Sequence, residues 1–403
     1  MSSRIKYTIV GASTCLMVLL LVGSVLGGQA SSPDDTFKHI GVFSEVVSYI
    51  KDQYVEEPDM KSVTLGALNG MLEAVDPFAS YLNPDQYRDY LKSRDVKRAD
   101  VGLILSKKFG FLGVVDAVPG SPADKAGFST RDMIESIKGI STRDMPLAYA
   151  AILLQGDNNT TVDLSVVRVR HPEPQTVTLM RSNPSLPPVE SRMLSGQVGY
   201  IEVGALSPSQ LKEVSAAIVK LQKEGAAKLV VDVRHCAMGT PEDGIALANL
   251  FLNKGLITYV LGQRYPRQDT QADPDKAITA LPVAFLTNSG TAGAAEIAAA
   301  AIQDDKRGSL VGDRTYGDAA IRKPITTEDG GAIILSVAKY YAPGGKAIQD
   351  AGVTPQYPVA DQEPAMDYDE NGEPIAAAQT APAQPRKLED DPVLKKALEV
   401  LGH

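Results

Sequence analysis

The chain has 403 residues, 44% of them hydrophobic, with 34 glycines and 26 prolines, which is enough for two or three domains around a sizeable core. A formal charge of −9 argues against a nucleic-acid-binding surface. The two cysteines and four histidines show no metal-ligand spacing, and Cys15 lies in an apolar leader, so neither a metal site, a cofactor nor a disulfide within the folded part is expected.

In the leader, Arg4 and Lys6 precede an apolar or small-residue run from Tyr7 to Gly28, and "GQA" stands before Ser31. Residues 1–30 therefore read as a secretory signal peptide or as an uncleaved membrane anchor. Either way the remainder is expected to be exported, periplasmic or membrane-anchored. Cys15 precedes most of the apolar run and is badly placed for a lipoprotein cysteine.

Residues 35–96 read as a helical N-terminal platform. "FSEVVSYIKDQYV" and "TLGALNGMLEAV" carry apolar residues at three- and four-residue spacing, and Asn83-Pro84-Asp85 starts a further helix. Residues 97–182 change to short β-like runs, "VGLILS", "FLGVVDAV", "DMIESIKGI", "TVDLSVVRV" and "QTVTLM", with one helix in "LAYAAILLQG". Residues 183–360 alternate strands and helices: "GQVGYIEVGAL", then a helix capped by Ser207 and ended by Gly225, then "AKLVVDVR", "GIALANLFL" and "LPVAFLT". That alternation implies a buried sheet with helical cover. Residues 361–386, rich in Pro, Ala, Gln and acid, read as a flexible tail, and 387–403 as a short C-terminal helix.

"PGSPADKAG" followed by "DMIESIKGI" resembles a PDZ domain. The resemblance implies a peptide groove between a strand and the helix over 147–155, with a free carboxylate held by backbone amides of Val101, Gly102, Leu103 and Ile104. The family usually has a glycine where Asp100 stands, so an acidic side chain there is expected to weaken carboxylate capture. The plainer alternative is a β-domain used only for packing.

Eight motifs in order, among them "GALNGMLEAVDPFASYLNPDQY", "GYIEV", "KLVVDVR", "AAEIAAAAIQDDKRGSLVGDRTYG" and "AKYYAPGGKAIQDAGVTPQYPV", make the chain resemble a carboxyl-terminal processing peptidase, or tail-specific protease. The resemblance implies an α/β multidomain protein: helical platform, PDZ domain and protease-like core. It also implies a serine nucleophile, a lysine general base and an assisting glutamine. A serine hydroxyl attacks only when a neighbour takes its proton, and a desolvated lysine can do so.

Aligned on Glu296-Ile297, the serine position falls on Gly293, the lysine position on Asp318 and the glutamine position on Arg322. The family's paired glycines of the oxyanion loop fall on Met238 and Gly239. No catalytic group is therefore intact. Asp318 is expected either to pair with Arg322 or to fill the anion site at the helix start. Ser289, Thr291, Lys306 and Lys323 lack the family spacing, and His235-Cys236 would point to opposite faces.

The expected function is a catalytically inactive pseudoprotease that binds peptide or protein C-termini, with an active protease relative or an envelope protein as a further partner. If uncleaved, the leader would also attach it to membrane. The alternatives are an active C-terminal processing endopeptidase with a non-family nucleophile, and a structural envelope scaffold.

Overall fold

The computed structural model describes residues 33–95, 98–108, 110–143, 145–168, 171–183, 185–360 and 390–402. The leader of 1–30 and the tail expected over 361–386 lie outside the described residues. The chain divides into two compact units, one ending at Leu65 and the other beginning at Gly66.

In the first unit, α1 (Pro33–Gln53) leaves Ile40, Phe43, Val46 and Tyr49 exposed. The next helix, α2 (Met60–Val75), starts at Asp59, whose carboxylate accepts from the Lys61 N–H (3.0 Å) and the Ser62 hydroxyl (2.6 Å). Among the described residues no helix is long and apolar enough to cross a membrane.

The second unit takes in the later part of α2, and then comes a feature the helical periodicity did not predict. Asp76-Pro77 ends the helical run, and β1 (Ser80–Leu82) follows before α3 (Pro84–Asp95). Asn83 and Gln86 cap α3 reciprocally. β1 is a strand because it pairs with a partner about 250 residues away, β16 (Ala332–Tyr341). That antiparallel sheet is completed by β11 (Leu256–Gly262), β12 (Tyr265–Gln271) and β15 (Ala320–Thr326).

The PDZ module is a second antiparallel sheet. It comprises β2 (Leu103–Lys108), β3 (Phe111–Ala117), β4 (Met133–Ile137), β5 (Ile140–Ser141), β6 (Thr161–Arg168) and β7 (His171–Met180). The order is β2-β3-β4-β6-β7, so β2 is an edge. The short helix α4 (Pro122–Lys125) is capped by Ser121, and α5 (Leu147–Leu154) packs beside β2. Val101, Leu112, Ile134, Ile137, Leu154 and Leu164 form its core.

The central sheet has the order β17-β14-β13-β10-β9-β8. Its strands are β8 (Glu190–Leu194), β9 (Val198–Glu202), β10 (Lys228–Asp232), β13 (Val283–Thr287), β14 (Ser309–Gly312) and β17 (Tyr357–Pro358), all parallel to their neighbours except β8. Such a sheet needs cover on both faces. Alternate residues supply the two interfaces: Leu229 and Val231 join the cluster with α6 (Pro208–Lys223), α7 (Pro241–Asn249) and α8 (Ala294–Asp304). Val230, Ala284, Leu286 and Val311 meet Val393, Leu394 and Ala397 of α9 (Pro392–Gly402) on the other face. Gly244 of α7 has a steric reason, since α7 and α8 approach backbone to backbone there: a Cβ at Gly244 would run into the Ala294 carbonyl.

Candidate active site

The site is built where β13 turns through residues 288–293 into α8. Asn288 Oδ1 accepts from the Gly290 N–H (3.0 Å), and Thr291 Oγ1 accepts from the Asn288 N–H (3.0 Å) and donates to Val233 O (2.8 Å). The Thr291 hydroxyl is thereby occupied in holding the turn. Gly293 is the N-cap of α8, at φ 60° and ψ −117°. A Cβ there would meet nothing nearer than Asp318 O at 3.7 Å and Ala237 O at 4.0 Å. The position has the sharp strand-to-helix turn that presents a nucleophile in other hydrolases, with room for a side chain and no atom to attack.

Glu296, fully buried one turn into α8, ties this turn to the loop before β15. Its carboxylate accepts from the N–H groups of Gly293 (3.0 Å), Gly317 (2.7 Å) and Asp318 (2.8 Å), and from the Thr315 hydroxyl. Burial pushes its pKa up to about 7, with the Thr315 hydroxyl and the Asp318 and Gly317 amides acting in the opposite direction.

Arg322 Nη2 donates to Asp318 Oδ1, the ion pair expected from the charges at the lysine and glutamine positions. The guanidinium also lies over the Phe78 ring, 4.1 Å from its centroid. The alternative expectation, Asp318 filling the anion site at the start of α8, does not hold. Glu296 accepts from the Gly293 amide instead, because its place at the third helical position reaches back to the cap. Tyr316 packs edge-on against Phe78 (centroids 6.2 Å apart), and its hydroxyl bonds to Ser106 of β2.

The loop after β10 forms the opposite wall. Asp232 accepts from the Tyr200 hydroxyl (2.7 Å) and Arg234 Nε (2.9 Å), and Arg234 Nη2 continues to Asp391 (2.6 Å). Met238 is partly exposed, and its carbonyl accepts from the Leu206 N–H (2.8 Å). Gly239 stands at φ 149°, where a Cβ would lie 2.8 Å from Leu206 Cβ and 3.0 Å from Ala294 Cβ. Cys236 is sealed in the core, and burial, then the charges of Asp116 and Asp232, push its thiol pKa up and away from the thiolate.

An array centred on His235 was not foreseen from sequence. Its Nδ1 lies 2.9 Å from Asp116 Oδ2 of the PDZ module, and its Nε2 lies 2.8 Å from Asn288 Nδ2. Asn288 Oδ1 accepts from two backbone amides, so its NH2 faces the imidazole. This fixes Nε2 as acceptor and Nδ1–H as donor to Asp116. The array resembles a base oriented by an acid, but the nitrogen that would activate a hydroxyl is held by an amide. Gly290 makes the approach possible, since a Cβ there would collide with Asp116 Oδ2. Asp116 and His235 are 119 positions apart, and no local pattern joins them.

In the PDZ module, Val101 is buried and Gly102 sits at φ 81°, where a Cβ would collide with Ser121. Leu103 and Ile104 begin the edge strand β2. The far end of that edge is occupied, since the Lys107 N–H donates to Pro77 O (3.2 Å), and on the helix side the Ala148 N–H of α5 donates to Ser80 Oγ (3.2 Å). Lys323 lies over the Tyr265 ring at 5.3 Å rather than beside Gly293. Among the described residues no group of His, Cys, Asp and Glu is placed to hold a metal.

Comparison with known proteins agrees with this architecture. The model of Peptidase family S41 matches residues 197–359, and that of the PDZ domain matches 113–168. The carboxyl-terminal-processing protease of Synechocystis sp. is 33% identical over 330 residues, covering 80% of this chain and 76% of that protein. The carboxy-terminal processing protease CtpA of Bacillus subtilis is 29% identical over 351 residues, covering 87% of this chain and 74% of its own length. Among solved structures, a photosystem II D1 C-terminal processing protease superposes with a TM-score of 0.65 at 26% identity, covering 85% of this chain and 92% of that one. A PDZ module set into an α/β core with a strand-turn-helix site defines the class of the C-terminal processing proteases. The chain belongs to that family, peptidase family S41.

Proposed function

We propose that this protein is a catalytically silent member of its family, an exported pseudoprotease that binds peptide or protein C-termini through its PDZ module without cleaving them. The observation that carries the reading is Gly293. It stands in the nucleophile position, in a turn with room for a side chain, and has none. The remaining chemistry is diverted in the same direction. The lysine and glutamine positions form the Asp318–Arg322 ion pair, the Cys236 thiol is buried, and the His235 Nε2 is held by Asn288. A carboxylate at the base position would also oppose a developing oxyanion. The binding reading is supported by the edge strand β2 beside α5, the geometry that accepts an added peptide strand. A partner presenting such a C-terminus at the membrane surface, including an active protease relative, fits an exported protein with this leader.

The test is proteolysis of an unstructured substrate with an apolar C-terminus. It compares the natural protein with a Gly293→Ser, Asp318→Lys, Arg322→Gln variant. No cleavage by the former and cleavage by the latter is the expected result. Cleavage by the natural protein would overturn the reading and direct attention to Ser289.

A further inference from the structure

The carboxylate-capture loop of a PDZ module works because consecutive backbone N–H groups are left without an internal partner and converge on the end of a bound peptide. Here the loop carries its own carboxylate. Asp100 Oδ1 accepts from the Gly102 N–H at 2.8 Å, and the Val101 amide also favours its charged form. The loop cannot easily turn away from this arrangement. The Gly102 carbonyl accepts from the Val118 N–H (2.8 Å) and the Val101 carbonyl from the Ala123 N–H (3.0 Å). Residue 100 itself is clamped by a two-way bridge to Ser182 (3.1 and 2.9 Å).

Arg181, the cation whose charge acts on Asp100, is engaged elsewhere. Arg181 Nε and Nη2 donate to the carbonyls of Leu154 and Leu153 at the end of α5, and Nη1 to Thr161 O. Its charge therefore serves mainly the C-terminal end of that helix. Burial of Asp100 raises its pKa, opposed by the two amides and by Arg181, so the amides favour the charged carboxylate in place.

We propose that Asp100 is a built-in competitor for the C-terminal carboxylate site, and that it sets the affinity and selectivity of the groove. This rests on the C-terminus-binding reading given above. An incoming carboxylate must displace the Asp100 side chain from the Gly102 amide and then sit beside its negative charge. A peptide with a blocked end meets no such penalty. The natural protein therefore discriminates poorly between free and blocked ends, and free C-termini bind well only when held at high local concentration.

The experiment is a fluorescence-anisotropy titration of the full-length protein. The probe is a labelled hexapeptide with a C-terminal valine, as the free acid and as the amide. The variants are Asp100→Gly, which removes the competitor, and Asp100→Asn, which keeps an acceptor for the Gly102 N–H and removes the charge. The free acid is expected to bind Asp100→Gly at least tenfold more tightly than the natural protein, about 1.4 kcal/mol. Asp100→Asn should fall between them, and all three proteins should bind the amide alike. Equal affinity of the natural protein and Asp100→Gly for the free acid would overturn the role of Asp100 and leave the groove standing. Absence of saturable binding by either peptide to any of the three would overturn the groove reading, and this inference with it.

Discussion

Glu296 shows how one buried side chain sets the shape of the site. It receives hydrogen bonds from both the nucleophile turn and the loop before β15, yet its pKa is pushed up to about 7 from 4.5. A folded-state pKa above the unfolded value means that the folded protein binds the extra proton between those two limits. The contribution of Glu296 to stability is then fully present below about pH 4.5 and is lost as pH rises through about 7. The loss is about 3 kcal/mol. Urea unfolding at pH 5 and pH 8 should show this fall in the natural protein. Glu296→Gln should be less stable at pH 5, because an amide NH2 faces backbone donors, and flat across the window. A second residue-scale expectation concerns Gly293. Its surroundings have room for a Cβ, so the cost of Gly293→Ala is conformational, about 1–3 kcal/mol, read from the urea midpoint. A third concerns Cys236. A maleimide should leave it unmodified in the native protein and react with it in denaturant, whereas rapid native labelling would revive it as a nucleophile.

At the scale of elements, α9 acts as the second cover of the central sheet. Its start is held by Asp391, which accepts from the Val393 (2.9 Å) and Leu394 (3.1 Å) amides and pairs with Arg234. Cap and charge pair act together, so Asp391→Ala should cost about 2–3 kcal/mol in chemical denaturation. Asp391→Asn keeps the capping oxygen and should cost less. Equal losses from the two variants would show that the cap contributes nothing. The boundaries of several elements were legible because their rules are local. Ser207 with Pro208 starts α6, and Gly225 at φ 95° follows its end. β1 was not legible, since three residues between two helices become a strand only by pairing with β16.

At the scale of the molecule, the PDZ module is fastened to the core by residues the family chemistry does not name. Asp116 reaches His235, Ser106 reaches Tyr316, and the Lys107 amide reaches Pro77. Asp116→Ala removes the acceptor of the His235 N–H and leaves that imidazole edge without its partner. Hydrogen exchange should then quicken at least tenfold across residues 288–293, while β10 and β13 keep their protection. Unchanged exchange in the turn would mean that the Asp116 contact does not hold the module in place.

The sequence by itself determined the order of segments, most helix starts, the family, and the absence of a side chain at Gly293. All of these are carried by residues within a few positions of one another, where periodicity, capping and motif spacing operate. Even the Asp318–Arg322 pair was readable, from the opposite charges that stand at the two substituted family positions. Tertiary structure alone decided that Asp116 meets His235, and that Pro77 and Ser80 meet β2 and α5. Those partners are separated by tens to hundreds of residues. Which of many chemically equivalent carboxylates or carbonyls arrives at a given donor is fixed by the packing of whole sheets.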